Sequence, residues 1–411
     1  SIEGEDAVSI DIQNTHLKLN RNRWSGWVDV RFDAGLFRKI KGIFKFYLVE
    51  TDPEFKLYVS PINLDPRQPY FPITYPAGYG KELADAIGLF YTQGMPCDTW
   101  SVNEKRLMEG AFLEQVGEVL REKKAMLDYE LNRMKEGVLF CYFETSDIIQ
   151  HMFWRYTDPE HPLYEEEGAK IYGNVISGWY QKMDSILGEV MKKMDEDDLL
   201  IVLSDHGFDT FRRAIHVNKW LRDNGYLRLK DPQAASGREL LLDIDWSGTK
   251  AYAIGFGSIY VNQAGRESGG IVKPGSETEA LKKELAEKLL KWQDEKYNKP
   301  VLSRVFAKEE IFWGPFLDEM PDLYLGSNIG YRASWQTALG AVPENAIEDN
   351  LKKWSGSHLF DPGLVPGILF INRPVTKKDP SIYDIAPTIL KETGMPEDDI
   401  KACDFDGQPL Y

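Results

Sequence analysis

Cysteine is scarce in this 411-residue chain: Cys97, Cys141 and Cys403 are odd in number and far apart, with no zinc-knuckle or disulfide spacing. That excludes a disulfide-stapled scaffold and a cysteine zinc cluster, and it points to a reducing compartment, so the expected localisation is cytoplasmic. Long apolar runs are also missing. None approaches the roughly 20 residues of a membrane helix, so no membrane span is expected. Positive charge is in deficit, with 49 Lys and Arg against 65 Asp and Glu and a net charge of −16. Binding to a nucleic-acid polymer or an anionic membrane is therefore not expected. A phosphate-bearing small molecule stays open, because bound metal ions reverse the field inside a pocket. The opening SIEGEDAVSIDIQN has neither a charged n-region nor an apolar h-region, so it does not read as a signal peptide. It reads as the interior of a longer protein.

What is present suits a folded protein of more than one domain: 43% hydrophobic and 28% charged residues. From residue 7 to 75 the segments VSIDIQNTHLKLN, WVDVRFDA, IFKFYLVE and FKLYVSP alternate between Asn, Asp, Gly and Pro signals. They predict an antiparallel β-rich unit. Helical spacing of Leu107, Phe112, Val116, Val119 and Leu120 predicts a helix between Asn103 and Met134. The pattern then changes to apolar strands, GVLFCYFE (137–144) and LLIVLS (199–204), alternating with helical stretches over 165–194, 216–226 and 277–294. AYAIGFGSIYVN reads as a strand or hairpin, PDLYLG and PGILFI as strands, and DIAPTILKETG as a short helix capped by Asp384. The fold class expected is α/β, a mixed, mostly parallel sheet flanked by helices. Residues 1–100 form a β-rich accessory unit and 101–411 the α/β core.

Ligands of open α/β sheets collect at the carboxyl ends of strands. GVLFCYFE is followed by Asp147 and His151, four residues apart and so on one face of a helix that starts there. LLIVLS runs into Asp205 and His206, and His358 precedes a further strand. Each alone has a bland reading. Asp147 can cap a helix, His151 can be a packed histidine, and Asp205–His206–Gly207 can be a turn. His16 and His161 are read as structural. The joint pattern carries the case: three of six histidines sit beside strand ends, two of them with a nearby acid. Mixed carboxylate and imidazole donors suit Zn²⁺ or Mn²⁺ better than Ca²⁺ or Mg²⁺.

On SDIIQH, SDHGF with HVNKWLRDNGYL, GSH and the closing DIAPTIL…GMPEDD…DFDGQPL, the chain resembles the alkaline phosphatase superfamily. Within it, the chain is similar to the type I phosphodiesterase/nucleotide pyrophosphatase group, over residues from about 100 to 411. The resemblance implies two divalent ions, Zn²⁺ first and Mn²⁺ second. It makes Asp147, His151 and His358 ligands of one, and Asp205 and His206 ligands of the other. It implies a small phosphate-ester substrate and attack on phosphorus by a Thr or Ser, with a phosphorylated enzyme released by water. His216 and Arg332 are candidates for substrate binding.

The pattern is incomplete. No strand before Asp147 ends in Asp followed by a Thr or Ser in the family's context; Asp11 with Thr15 is the nearest imitation. The catalytic nucleophile is therefore unknown, and the chain reads as a C-terminal portion with an incomplete core and little or no activity. A missing strand would expose sheet surface and permit self-association. The alternatives are a phosphomutase of the same superfamily and a non-catalytic metal-binding module. A sulfatase lacks its C-x-P-x-R or S-x-P-x-R stretch here.

Overall fold

A computed structural model describes residues 6–33, 35, 39–233 and 237–411; the opening residues 1–5 lie outside the described residues. The chain divides into two compact units that alternate along the sequence. The first comprises 1–152, 175–199 and 373–411, and the second 153–174 and 200–372. Among the described residues, no helix is long and apolar enough to cross a membrane.

The first unit begins with the antiparallel elements that the alternation predicts. Ala7–Ile12 pairs with Thr15–Asn20, Val28–Asp33 with Lys39–Phe44, and Phe46–Glu50 with Lys56–Val59. Their inward residues Val8, Leu19, Val28, Val30, Phe44, Phe46 and Leu48 form one apolar cluster. The helix Glu109–Leu131 buries Phe112, Val116, Val119 and Leu120, the face set by i, i+4, i+7 and i+8 spacing. Two indoles tie this part together: Trp24 Nε1 donates to Ala111 O (3.0 Å) and Trp27 Nε1 to Leu89 O (3.0 Å). The predicted helix over 103–134 is interrupted. Thr99–Asn103 ends at Lys105, whose φ is +58°, and the long helix restarts at Glu109.

In the second unit the strand Asp209–Ile215 is central. It pairs in parallel with Gly330–Ala333 and antiparallel with Ile347–Asp349 and Gly356–Ser357. A separate antiparallel sheet runs Ala251–Ala253, Ser258–Val261, Leu323–Ser327, Leu302–Ala307. AYAIGFGSIYVN is thus a hairpin. The helices Val217–Asp223 and Ser276–Leu289 bury Leu221, Leu281, Leu285 and Leu289 in the same core as Ile215, Ile259 and Leu323.

The mostly parallel sheet expected from sequence is not what these strands form. Among the described residues, the pair Asp209–Ile215 and Gly330–Ala333 is the single parallel pairing of named strands. LLIVLS contributes Ile201–Leu203, paired antiparallel with Leu369–Ile371. GVLFCYFE forms no strand pairing, and its alternate side chains Val138, Phe140 and Tyr142 are 57%, 80% and 58% exposed. A continuous apolar run records a demand for burial on both faces, but a ladder also needs a neighbour, and none is provided here. Asp384 corrects a smaller expectation. It does not cap the helix Ile385–Glu392; fully buried, it accepts from Ser381 N (2.8 Å), Gln408 N (2.9 Å) and Lys377 Nζ (2.6 Å).

Candidate metal centre

Asp147 and His151 lie on the helix Thr145–Phe153 of the first unit, and the i, i+4 spacing brings His151 Nε2 to 3.4 Å from Asp147 Oδ2. The helix is anchored by its apolar side, with Ile148, Ile149 and Met152 buried. At its start Thr145 Oγ1 accepts from Trp179 Nε1 (3.2 Å). His151 is buried, while the Asp147 side chain keeps 30% of its surface. An acid and an imidazole are thus held side by side on a packed helix.

In the second unit, two glycines shape the turn that carries Asp205 and His206. After Leu203, Ser204 N donates to Ile368 O (3.1 Å), its Oγ donates to His206 O (2.9 Å), and Gly207 N donates to Val365 O (2.8 Å). A Cβ on Gly207 would stand 2.5 Å from Pro366 O, and one on Gly367 would stand 2.5 Å from Ser204 O. Only glycine permits this approach of two backbones, and the approach fixes where Asp205 and His206 emerge. The imidazoles of His206 and His358 stack with centroids 3.6 Å apart and planes 10° apart. Phe208 flanks both rings, at 5.9 and 5.5 Å, and Trp154 stacks on Phe208 at 5.8 Å.

Protonation in this pair suits metal ligation. His206 Nδ1 lies 3.0 Å from Gly207 O, a contact that requires a proton on Nδ1 and leaves the Nε2 lone pair for a ligand. Burial, then the neighbouring His206 and Arg332, pull His358 down to about 4, against an opposing pull from Asp205. His358 is thus a neutral imidazole at neutral pH, the form that binds metal. Asp205 Oδ2 is 3.5 Å from His206 Nε2, and its side chain is 67% exposed. A donor set of imidazoles and carboxylates fits a Zn²⁺- or Mn²⁺-type ion.

His216 is fully buried between Ser334 Oγ, 2.7 Å from Nδ1, and Glu348 Oε1, 3.1 Å from Nε2. The second contact is close enough for an ion pair but poorly aligned as a hydrogen bond. Asn218 clamps Ala253 through its amide, accepting from Ala253 N (2.7 Å) and donating to Ala253 O (2.8 Å). Arg332, on Gly330–Ala333, is buried against the rings of Phe211, Phe256 and Trp335. His161 is structural: Nε2–H donates to Phe211 O (3.0 Å) and Nδ1 accepts from Leu163 N (3.0 Å). Asp11 and Thr15 lie on the first hairpin, where Asp11 is exposed and contacts His16 Nδ1 at 2.5 Å. Sequence reasoning passed over Phe208, Phe211 and Phe256. The signal available was the aromatic following Gly in DHGF and the Gly-flanked GFG.

The family model for type I phosphodiesterase / nucleotide pyrophosphatase matches residues 50–347. The chain belongs to this family. The type I phosphodiesterase family lies in the alkaline phosphatase superfamily, is metal-dependent and hydrolyses phosphoric esters. The match holds Asp147, His151, Asp205 and His206 and stops short of His358. No curated protein and no solved structure matches the chain.

Proposed function

We propose that this chain is the metal-holding portion of a phosphodiesterase/nucleotide pyrophosphatase-like phosphoric-ester hydrolase that works with two divalent ions. The observation that carries the reading is the stacked His206–His358 pair beside a glycine-clamped turn, in a chain of that family. The division implied by the family resemblance is kept as the proposal: Asp147, His151 and His358 serve one ion, and Asp205 and His206 the other.

A bound divalent ion would supply charge to the phosphoryl oxygens and lower the pKa of an attacking hydroxyl. The chain's own residues do the rest. The His206 Nδ1 contact fixes the tautomer, and Phe208 holds the two rings apart from solvent on one side. The nucleophile is proposed to come from a strand outside residues 101–411, with the β-rich residues 1–100 as an accessory unit. The exposure of Val138, Phe140 and Tyr142 in an apolar run that joins no ladder among the described residues supports this.

Accordingly, the 411-residue chain loaded with Zn²⁺ or Mn²⁺ is expected to leave an aryl phosphodiester at the background rate. A parent polypeptide carrying the extra strand is expected to hydrolyse it, and His206→Ala to abolish that turnover. Substantial turnover by the 411-residue chain alone contradicts the missing nucleophile. A parent as active with His206→Ala as without it contradicts the site.

A further inference from the structure

Arg213 and Arg332 stand on neighbouring strands and are treated in opposite ways. Arg213 is buried with two acids: its Nε donates to Asp294 Oδ2 (2.9 Å) and its Nη1 to Asp349 Oδ1 (2.5 Å). Arg332 is more deeply buried, at 2% exposure, and it has no carboxylate at all among the described residues. Its Nε and Nη1 are shielded from solvent and make no hydrogen bond. Burial alone pulls its guanidinium down to about 9, so it is charged at neutral pH.

Three rings surround that charge. The guanidinium carbon is 4.5 Å from the Phe256 centroid, 4.7 Å from Trp335 and 5.1 Å from Phe211. Aromatic faces attract a cation but accept no N–H hydrogen bond in the guanidinium plane. The donors therefore remain unanswered in an apolar surrounding, where an uncompensated charge is destabilising. The seat is held on the strand side, because Phe211 and Arg332 belong to adjacent, parallel-paired strands. On the other side Phe256 and Trp335 are partly exposed and meet edge to face at 5.0 Å, which leaves an aromatic rim open to solvent.

We propose that Arg332 is the receptor for a phosphoryl oxyanion of the ligand, bound in the plane of the guanidinium between the three rings, and that it binds without the help of a metal ion. The choice of a phosphoryl group rests on the hydrolase reading; the existence of an anion seat rests on Arg332 alone. A planar guanidinium presents parallel N–H donors that match two oxygens of one anion, which a lysine cannot do.

The test uses the full chain stripped of metal with EDTA, with orthophosphate as the probe and acetate as its carboxylate counterpart. Orthophosphate is expected to raise the melting temperature and to give a calorimetric binding curve. Arg332→Met is expected to weaken that binding at least about tenfold, the value of one charge-assisted hydrogen bond. In the absence of phosphate, Arg332→Met is expected to melt at the same temperature or higher, since it removes a buried charge without a partner. Arg332→Lys is expected to keep the fold and recover only part of the affinity. No phosphate effect on the metal-free wild type overturns the proposal, as does equal phosphate affinity in wild type and Arg332→Met. Acetate binding as well as phosphate overturns the phosphoryl assignment. Failure of the hydrolase reading would instead show as absent metal uptake, with phosphate binding at Arg332 intact.

Discussion

Two apolar segments lead into candidate ligands, and their surroundings differ. Ile201–Leu203 has a partner strand in Leu369–Ile371, and the following turn is clamped by Gly207 and Gly367 against the opposing backbone. Residues 138–143 have no partner strand, and three of their side chains lie more than half exposed. Yet both segments deliver an acid and a histidine. In one case a turn held by close backbone approach does the positioning, and in the other a helix packed through Ile148, Ile149 and Met152 does it. The first arrangement is complete within its unit. The second has its ligands ready and its strand bare, which is where an additional strand would complete both a ladder and a site.

Substitutions at the two rims should separate these arrangements most strongly. His358→Ala or His206→Ala is expected to weaken divalent-ion binding by about 100-fold or more, since even residues that merely support a ligand are worth 10–100-fold. Isothermal titration with Zn²⁺ measures this, and an affinity unchanged in both variants would remove the stacked pair from the site. Gly207→Ala comes next. Its Cβ has no room beside Pro366 O, so the turn must open at a cost of about 1–3 kcal/mol, with loss of ion binding as well. Gly178→Ala, inside the helix Val175–Met191 with nothing within 4 Å of the added carbon, serves as the control and is expected to leave stability unchanged or raise it by up to about 1 kcal/mol.

A charge placed in each segment sharpens the contrast further. Val202→Asp sits in the paired strand and is expected to destabilise the chain by about 1–2 kcal/mol in urea unfolding. Phe140→Asp sits in the bare run and is expected to change stability by no more than about 0.5 kcal/mol. Equal costs for the two would mean that residues 138–143 are packed in solution.

The smallest effect is a dependence on pH. Burial holds His161 down to about 4, against an ordinary value of 6.5, with Asp158 pulling it up and Arg155 and Arg212 pulling it down. Below pH 6.5 the unfolded chain therefore binds a proton that the folded chain refuses. The contribution is complete above pH 6.5 and is lost as pH falls toward 4. His161→Asn is expected to lower the melting temperature at pH 7.5 and to make the decline toward pH 4.5 shallower. An unaltered acid slope would show that other groups govern it.

The placement of the two acid–histidine pairs was legible because their spacing is local: Asp147 with His151 on one helix turn, Asp205 with His206 at a strand end. The β-rich start and the long helix were legible for the same reason, as period 2 and period 3.6 are written along the chain. The sheet was not. LLIVLS and GVLFCYFE are both continuous apolar runs, whereas strand direction and the presence of a neighbour are properties of distant segments. The environment of Arg332 was equally hidden. GYRASW marks an arginine beside aromatics, but the absence of any acid near it follows from the packing of Phe211 and Phe256, far off in sequence. Asp384 taught the reverse lesson: a residue placed to cap a helix instead gathers a backbone N–H from either side and a lysine.

The central claim is that His206 and His358 are ligands of divalent ions. Its most direct test is metal analysis by plasma mass spectrometry after the 411-residue chain is equilibrated with Zn²⁺ and Mn²⁺ and dialysed. Retention of at least one ion per chain, lost in the Asp147→Asn/His206→Ala/His358→Ala triple variant with its circular dichroism unchanged, is the result expected. A wild-type chain that retains no ion, or a triple variant that retains as much as the wild type, would contradict it.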